Sequence, residues 1–241
     1  MSKKYRVVVV GMGKRGMHHA LAFQANDRFE VAGVCDIDPA RLDAAAAKFG
    51  AAKGTDAREL CATVKPDIFC FCTLPNLRIP MIKAGIEGGA RLIAFEKPVA
   101  LTTKEGFEVK RMLDAAKVKA VVSHQHRYGE HYRKVKEIVS SGALGRVHTV
   151  YGTSTGWMTH MLSHLIDYTR WYNAEAPAQW VLAQAAGRGK LTARPTQNSA
   201  RVPLQCTSSE PLDKTTRLSI LYRSPPSRYI YRHGGNRFRH E

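Results

Sequence analysis

The chain has 241 residues, of which 44% are hydrophobic, and this composition excludes an intrinsically disordered protein. No stretch reaches the ~18–20 apolar residues of a membrane-spanning helix, and the first residues lack a signal-peptide pattern, so we expect a cytoplasmic protein with no membrane partner. The net charge of +17 would suit nucleic acid, but no block of like charges and no nucleic-acid-binding motif occurs, so nucleic acid is not favoured as a partner.

Predicted strands and helices alternate along the first 124 residues. An apolar, β-branched run, typical of a strand buried on both faces, occupies residues 5–10, and further strands are predicted at residues 29–35, 67–73, 91–95 and 120–124. Helical patterns lie between these strands at residues 16–24, 39–49, 56–64, 79–87 and 102–117. The alternation predicts an α/β fold, a doubly wound parallel sheet with right-handed crossovers.

Two of these helices carry recognisable end signals. Pro39 lies in the first turn of its helix and Gly50 lies just past the last turn. Thr102 is followed three residues later by Glu105, the spacing of a capping box.

The sequence pattern changes near residue 124, where a second segment begins, and again after residue 190. Helices are predicted at residues 132–139 and 158–172, and strands at 147–153 and 180–186. In the last 51 residues, 191–241, 16 are Ser, Thr or Pro, and eight of the nine basic residues are Arg. We expect this atypical tail to be poorly ordered, with a strand-like pattern only at residues 217–222.

A glycine-rich turn joins the first strand to the first helix. Gly11, Gly13 and Gly16 match the pattern G-x-G-x-x-G, in which the three residues allow a tight turn, approach of a pyrophosphate and close packing. Asp36 lies at the end of the second strand, where an acid would bind ribose hydroxyls. We therefore predict a dinucleotide-binding Rossmann domain over residues 1–124 with NAD as the cofactor. NADP stays an alternative, because two basic residues within the turn could reach a phosphate.

Glu96, Lys97 and Pro98 follow the strand at residues 91–95. In a doubly wound sheet the carboxyl ends of the strands face the ligand crevice. A lysine at this place could hydrogen-bond a reacting hydroxyl and take part in its proton transfer. From these residues alone, a solvated Glu-Lys pair is the alternative interpretation.

Several motifs, in this order and spacing, resemble those of the Gfo/Idh/MocA oxidoreductases. They are Gly11-x-Gly13-x-x-Gly16, Thr73-Leu74-Pro75-Asn76, Glu96-Lys97-Pro98, Arg127-Tyr128, the segment 141–147 and the helix with His160 and His164. The resemblance covers about residues 5–186. It implies a hydride transfer between a nicotinamide cofactor and a secondary alcohol of a sugar or polyol (cyclitol), with residues 125–190 as a partial substrate or oligomerisation domain of α+β type.

The resemblance also implies roles for single residues. Lys97 would position the substrate hydroxyl and the nicotinamide, and His164 would be the acid/base that exchanges the hydroxyl proton. The residues expected at the cofactor, besides the glycines and Asp36, are Thr73, Pro75, Asn76 and Glu96. The residues expected at the substrate are Arg127, Tyr128, His160 and Asp167. A homo-oligomer is compatible with the family.

The chain departs from the family pattern in three ways. His160 stands where the family often has Asp, and Arg78 lies near a turn where a His is common. The family-like sequence stops near residue 186, which suggests a truncated or frame-altered product with an incomplete second domain. A catalytically impaired dinucleotide-binding protein is therefore the alternative function. His160 and His164 have an i, i+4 spacing that suits a metal, but the pattern H-E-x-x-H is not present and no metal site is predicted.

Overall fold

The computed structural model describes residues 3–152, 158–178 and 220–223. The chain divides into two compact units, Met1–His124 and Gln125–Glu241. Within the described residues, no helix combines the length and the apolar character that crossing a membrane requires.

The first unit alternates strands and helices. In chain order these are β1 (Tyr5–Val10), α1 (Lys14–Gln24), β2 (Phe29–Cys35), α2 (Pro39–Phe49), β3 (Ala52–Gly54), α3 (Ala57–Val64), β4 (Ile68–Phe71), α4 (Arg78–Glu87), β5 (Leu92–Glu96), α5 (Thr103–Ala116) and β6 (Lys119–Ser123). The strands form one parallel sheet in the order β3-β2-β1-β4-β5-β6. This sheet confirms the predicted doubly wound fold. Only β3 was not predicted, because its three residues, Ala-Lys-Gly, carry no apolar run.

Alternate residues of β1 enter two different cores, one on each face of the sheet. Val8 and Val10 pack with residues of α3, α4 and α5, whereas Val7 and Val9 pack with residues of α1 and α2. All four side chains are at most 5% exposed. Burial of one such side chain stabilises the fold by about 1.5–3 kcal/mol. Helices on both faces thus explain why the last four residues of β1 are all apolar.

The predicted helix ends are confirmed. The Asp38 side chain caps α2 by accepting hydrogen bonds from two backbone N–H groups, with Pro39 at the first helical position. Gly50 ends α2 with a φ of 60°, the left-handed conformation that favours glycine. Thr102 and Glu105 form the capping box at the start of α5. A cap of this kind stabilises a helix by about 1 kcal/mol.

The cysteines of the first unit behave as small hydrophobic residues. Cys35, Cys61 and Cys70 are buried and Cys72 is half-buried, and all four are free thiols. Burial raises the pKa of Cys35 to about 12 and that of Cys61 to about 11, so both stay protonated at neutral pH. Cys206 lies outside the described residues.

The second unit contains fewer described elements. They are a 3-10 turn (Gln125–Tyr128), α6 (Glu130–Ser140), β7 (Thr149–Gly152), α7 (Met158–Tyr172) and β8 (Ile220–Arg223). β7 and β8 are antiparallel, with Thr149 opposite Arg223. The helix predicted at residues 158–172 is confirmed. The strand predicted at residues 180–186 and most of the predicted tail lie outside the described residues.

Candidate active site

Three glycines shape the turn between β1 and α1, each for a different reason. Gly11 has a φ of 83°, which favours glycine. A Cβ on Gly16 would overlap the carbonyl oxygen of Gly11, so α1 can approach the turn only because Gly16 has none. A Cβ on Gly13 would find a single described atom within 4 Å, Nη1 of Arg41 at 4.0 Å. The turn is therefore tightly packed at Gly16 and leaves free space beside Gly13.

The open side of the turn fits a pyrophosphate. Gly13 is the N-cap of α1, and no side chain in the described part of the chain caps this helix end. The first N–H groups of α1 therefore remain available as donors, and the positive end of the helix dipole favours an anion.

Asp36 follows β2 and directs its carboxylate toward the glycine turn. Its Oδ2 accepts a hydrogen bond from the Met12 backbone N–H at 2.6 Å, and its Oδ1 accepts one from the Asp38 N–H at 2.9 Å. Each carboxylate oxygen can accept a second hydrogen bond, so the group keeps the capacity to bind ribose hydroxyls. The predicted ribose acid thus lies beside the predicted pyrophosphate turn.

Two further segments leave the sheet at the same edge. A Cβ on Gly11 would lie 3.5 Å from the backbone nitrogen of Thr73, so the segment after β4 touches the glycine turn. Pro75 begins a 3-10 turn, Pro75–Leu77, and Asn76 is exposed on it. Lys97 is half-buried just after β5, where the Lys97–Pro98 peptide bond is cis.

Glu96 is joined to α1 by a histidine that the sequence analysis did not identify. Nε2 of His19 lies 2.9 Å from Oε1 of Glu96, and Nε of Arg15 lies 3.9 Å from the same oxygen. The glutamate is 9% exposed. The only hint in the sequence is that Arg15 and His19 are four residues apart, which places them on one face of a helix.

The pair shifts the pKa of both its members. The hydrogen bond to Glu96 raises the pKa of His19 above its ordinary value of 6.5. Burial alone would raise the pKa of Glu96, but the hydrogen bond from His19 and the charge of Arg15 outweigh it, so this pKa falls below 4.5. The His19 contribution to stability is complete below pH 6.5 and is lost as the pH rises through the higher folded-state pKa. The Glu96 contribution is complete above pH 4.5 and is lost as the pH falls through the lower one.

We expect the substitution His19→Gln to remove this pH dependence. Gln keeps a donor for Glu96 but carries no charge at any pH, so the difference in unfolding temperature between the wild type and the variant should be largest between about pH 4.5 and 6.5 and should shrink above pH 7. Thermal unfolding followed by circular dichroism from pH 5 to 9 measures it. His18→Gln, on the exposed face of the same helix, is the matched control. A difference that does not vary with pH would contradict the ion pair.

In the second unit, His164 stacks against a second histidine. His164 lies on α7, is 4% exposed, and its ring centroid is 4.4 Å from that of His126, with an interplanar angle of 20°. His126 also stacks on Tyr132, with the two ring centroids 4.9 Å apart. His126 was not predicted as a site residue, although it directly precedes the predicted Arg127-Tyr128 motif.

Arg127 and Asp167, both predicted to contact substrate, bind each other. The guanidinium donates to the two carboxylate oxygens at 2.7 Å each, and it also pairs with Glu175 at 2.8 Å. This pairing joins the Gln125–Tyr128 turn to α7. Tyr128 is 72% exposed. His160 lies in the first turn of α7, and its side chain is outside the described structure.

The first unit therefore brings most of the predicted cofactor residues to one edge of its sheet. The glycine turn follows β1, Asp36 follows β2, Thr73 follows β4 and Lys97 follows β5, and the carboxyl ends of these strands meet at the same edge. In the second unit, His164 and Asp167 lie on α7. Arg127 lies in the Gln125–Tyr128 turn that packs against this helix. No group of three or more potential metal ligands occurs among the described residues.

The chain is similar in sequence to two named dehydrogenases. The inositol 2-dehydrogenase of Rhizobium meliloti is 27% identical over 196 residues, which cover 75% of this chain and 58% of that protein. The myo-inositol 2-dehydrogenase of Thermotoga maritima is 26% identical over 153 residues, covering 62% of this chain and 45% of that protein. The chain thus spans about half the length of these two relatives.

A solved structure shares the fold. The WlbA dehydrogenase from Chromobacterium violaceum, crystallised with NADH and UDP-GlcNAcA, superposes with a TM-score of 0.69 and 25% identity over 77% of this chain and 59% of that one. Residues 5–124 match the family model described as an oxidoreductase family with an NAD-binding Rossmann fold. The match, the parallel sheet and the glycine turn show that the chain belongs to the Gfo/Idh/MocA oxidoreductase family.

Proposed function

We propose that the chain is an NAD-dependent oxidoreductase that transfers a hydride between a nicotinamide cofactor and a secondary alcohol of a cyclitol or sugar. One observation carries this proposal: the glycine turn, Asp36 and Lys97 all lie at the carboxyl edge of a single parallel sheet. That edge is where doubly wound folds bind dinucleotides.

The residues present fit a dinucleotide. The space left by the missing Cβ of Gly13 admits a pyrophosphate, the uncapped start of α1 offers it N–H donors, and Asp36 offers acceptors for ribose hydroxyls. The proposed cofactor is NAD, because a carboxylate at the ribose repels a 2′-phosphate; NADP is the alternative. Further cofactor contacts are assigned to Thr73, Pro75, Asn76 and Glu96.

The bound cofactor would supply the hydride acceptor or donor. The chain itself would orient the substrate and move a proton. Lys97 is assigned to hydrogen-bond the reacting hydroxyl, and His164 to accept the proton that this hydroxyl loses when the alcohol is oxidised. The residues assigned to substrate contacts are Arg127, Tyr128, His160 and Asp167. The ion pair between Arg127 and Asp167 would hold these two side chains in a fixed orientation toward the substrate.

The names of two relatives support a cyclitol as the substrate. Both are called inositol 2-dehydrogenases, and inositol is a ring of secondary alcohols. A cytoplasmic location and assembly into a homo-oligomer belong to the same proposal.

The test is a turnover assay with the purified full chain. NAD⁺ would be mixed in turn with myo-inositol, scyllo-inositol and a panel of sugars, and the absorbance of NADH would be followed. We expect NADH to form with at least one cyclitol. Measurable NAD binding without turnover on any of these compounds would contradict the catalytic proposal and favour a dinucleotide-binding protein instead.

A further inference from the structure

Arg78 is the largest fully buried side chain in the described structure, with 2% of its surface exposed. It begins α4 and directs its guanidinium under the turn after β5. Its Nε and Nη2 donate to the carbonyl oxygen of Pro98 at 3.1 and 3.0 Å, and Nη2 also donates to the carbonyl of Glu96. On the other side, Nη1 donates to the carbonyl of Thr73 at 3.4 Å.

Among the described residues, this buried guanidinium has no carboxylate that forms an ion pair with it. Its carbon Cζ lies 5.4 Å and 5.3 Å from the ring centroids of Phe71 and Phe95. Burial lowers its pKa, while the charge of Glu96 partly opposes that shift. Burying a cation is costly, and an apolar side chain between two phenylalanines would avoid the cost. An apolar side chain could not donate the hydrogen bonds that Arg78 donates to the two turns.

We propose that Arg78 is a positioning residue, which ties the Thr73 segment to the Glu96–Pro98 turn and so holds Lys97 in place. This inference rests on the proposed function, in which Lys97 contacts the reacting hydroxyl. Lys97 lies between two residues whose carbonyl oxygens are both bound by the same rigid planar group. The fork of the guanidinium can bind both turns at once because its donors point in different directions, whereas a lysine ammonium is a single point charge.

The test compares Arg78→Lys and Arg78→Met with the wild type and with Arg91→Lys, an exposed control at the other end of the sheet. The first readout is turnover of myo-inositol with NAD⁺. We expect kcat to fall about 100-fold in both Arg78 variants, the effect of a displacement of about 1 Å at a catalytic group. The KM for NAD⁺ should change much less than kcat, because the glycine turn and Asp36 are untouched.

The second readout does not need turnover. Brief acetylation with an N-hydroxysuccinimide ester at one fixed pH, mapped by mass spectrometry, reports the rate at which Lys97 is labelled and its protection by NAD. We expect Lys97 to be labelled faster in both Arg78 variants, because the turn that holds it loosens, and NAD to protect Lys97 less than in the wild type. Arg91→Lys should match the wild type in both respects.

The outcomes separate this inference from the proposed function. A wild type in which NAD fails to protect Lys97 and no cyclitol is oxidised contradicts the proposed function, while the labelling rate without NAD still reports whether Arg78 holds Lys97. If either Arg78 variant folds and keeps the wild-type labelling rate of Lys97, the positioning role is overturned. Failure of both variants to fold also overturns it, because Arg78 would then be a structural residue only.

Discussion

The substitution Gly13→Val is expected to abolish most NAD binding while the chain stays folded. The structure leaves room for the new side chain, since a single described atom lies within 4 Å of a Cβ at Gly13, and the backbone there has an ordinary φ of −66°. The side chain would instead fill the space that a pyrophosphate needs. An overpacking cost of about 1–3 kcal/mol corresponds to roughly 5- to 150-fold in Kd. Calorimetric titration with NAD measures the loss, and circular dichroism checks the fold.

Two other glycines provide the controls for this prediction. Gly16→Ala places a Cβ against the carbonyl oxygen of Gly11, so we expect it to destabilise the turn itself and lower the unfolding temperature. Gly106→Ala, in α5, places a Cβ 4.0 Å from that of Ala100, an ordinary contact, and should leave NAD binding unchanged. A Gly13→Val variant that binds NAD within about threefold of the wild type would show that no phosphate lies against this turn.

The substitution Lys97→Met is expected to reduce the rate of alcohol oxidation with little effect on cofactor affinity. Met keeps the apolar stem of the side chain but cannot donate a hydrogen bond to the reacting hydroxyl. Removing a group that takes part in proton transfer lowers kcat by about 10²–10⁴-fold. Steady-state kinetics with NAD⁺ and the best cyclitol measure kcat, and NAD titration measures the affinity.

Lys104→Met is the matched control, because Lys104 is exposed in the first turn of α5, a few residues beyond the same turn. Its kinetics should equal those of the wild type. If Lys97→Met retains a kcat within about threefold of the wild type, the lysine has no part in the chemistry, and the solvated Glu-Lys pair becomes the better interpretation.

The sheet could be predicted because the sequence signals for its strands and helices lie in residues close together in the chain. The apolar run of β1, the Gly50 helix end and the Thr102 capping box each depend on residues close together in the chain, and the structure contains all of them. The glycine turn could be predicted for the same reason: its three glycines lie within six residues. β3 was missed because three residues without an apolar run carry too little signal.

The contacts that assemble the site could not be predicted in this way. His19 and Glu96 are 77 residues apart, and the imidazole reaches the carboxylate only because the fold brings one face of α1 to the end of β5. The Arg78 contacts to Pro98 and the stacking of His126 on His164 likewise depend on how elements pack. A single sequence shows which residues could carry chemistry, but it does not show which side chains neutralise or hold one another.

The resemblance correctly identified the family, whereas the pairing within the second unit was unexpected. Arg127 and Asp167 were each assigned to a substrate, and the structure shows them bound to each other. Opposite charges forty residues apart give no pattern in the sequence, because their pairing requires the turn before α6 to pack on α7. The paired groups can still face a substrate, so their assignment stays a prediction.

A calorimetric titration of NAD into the purified full chain is the most direct test of whether a dinucleotide lies against the bare backbone of the β1–α1 turn. We expect saturable heat with one NAD bound per chain, and a marked loss of that heat in Gly13→Val. A chain that unfolds cooperatively, and so is well folded, but gives no heat with NAD or with NADP would contradict dinucleotide binding and the chemistry assigned to Lys97.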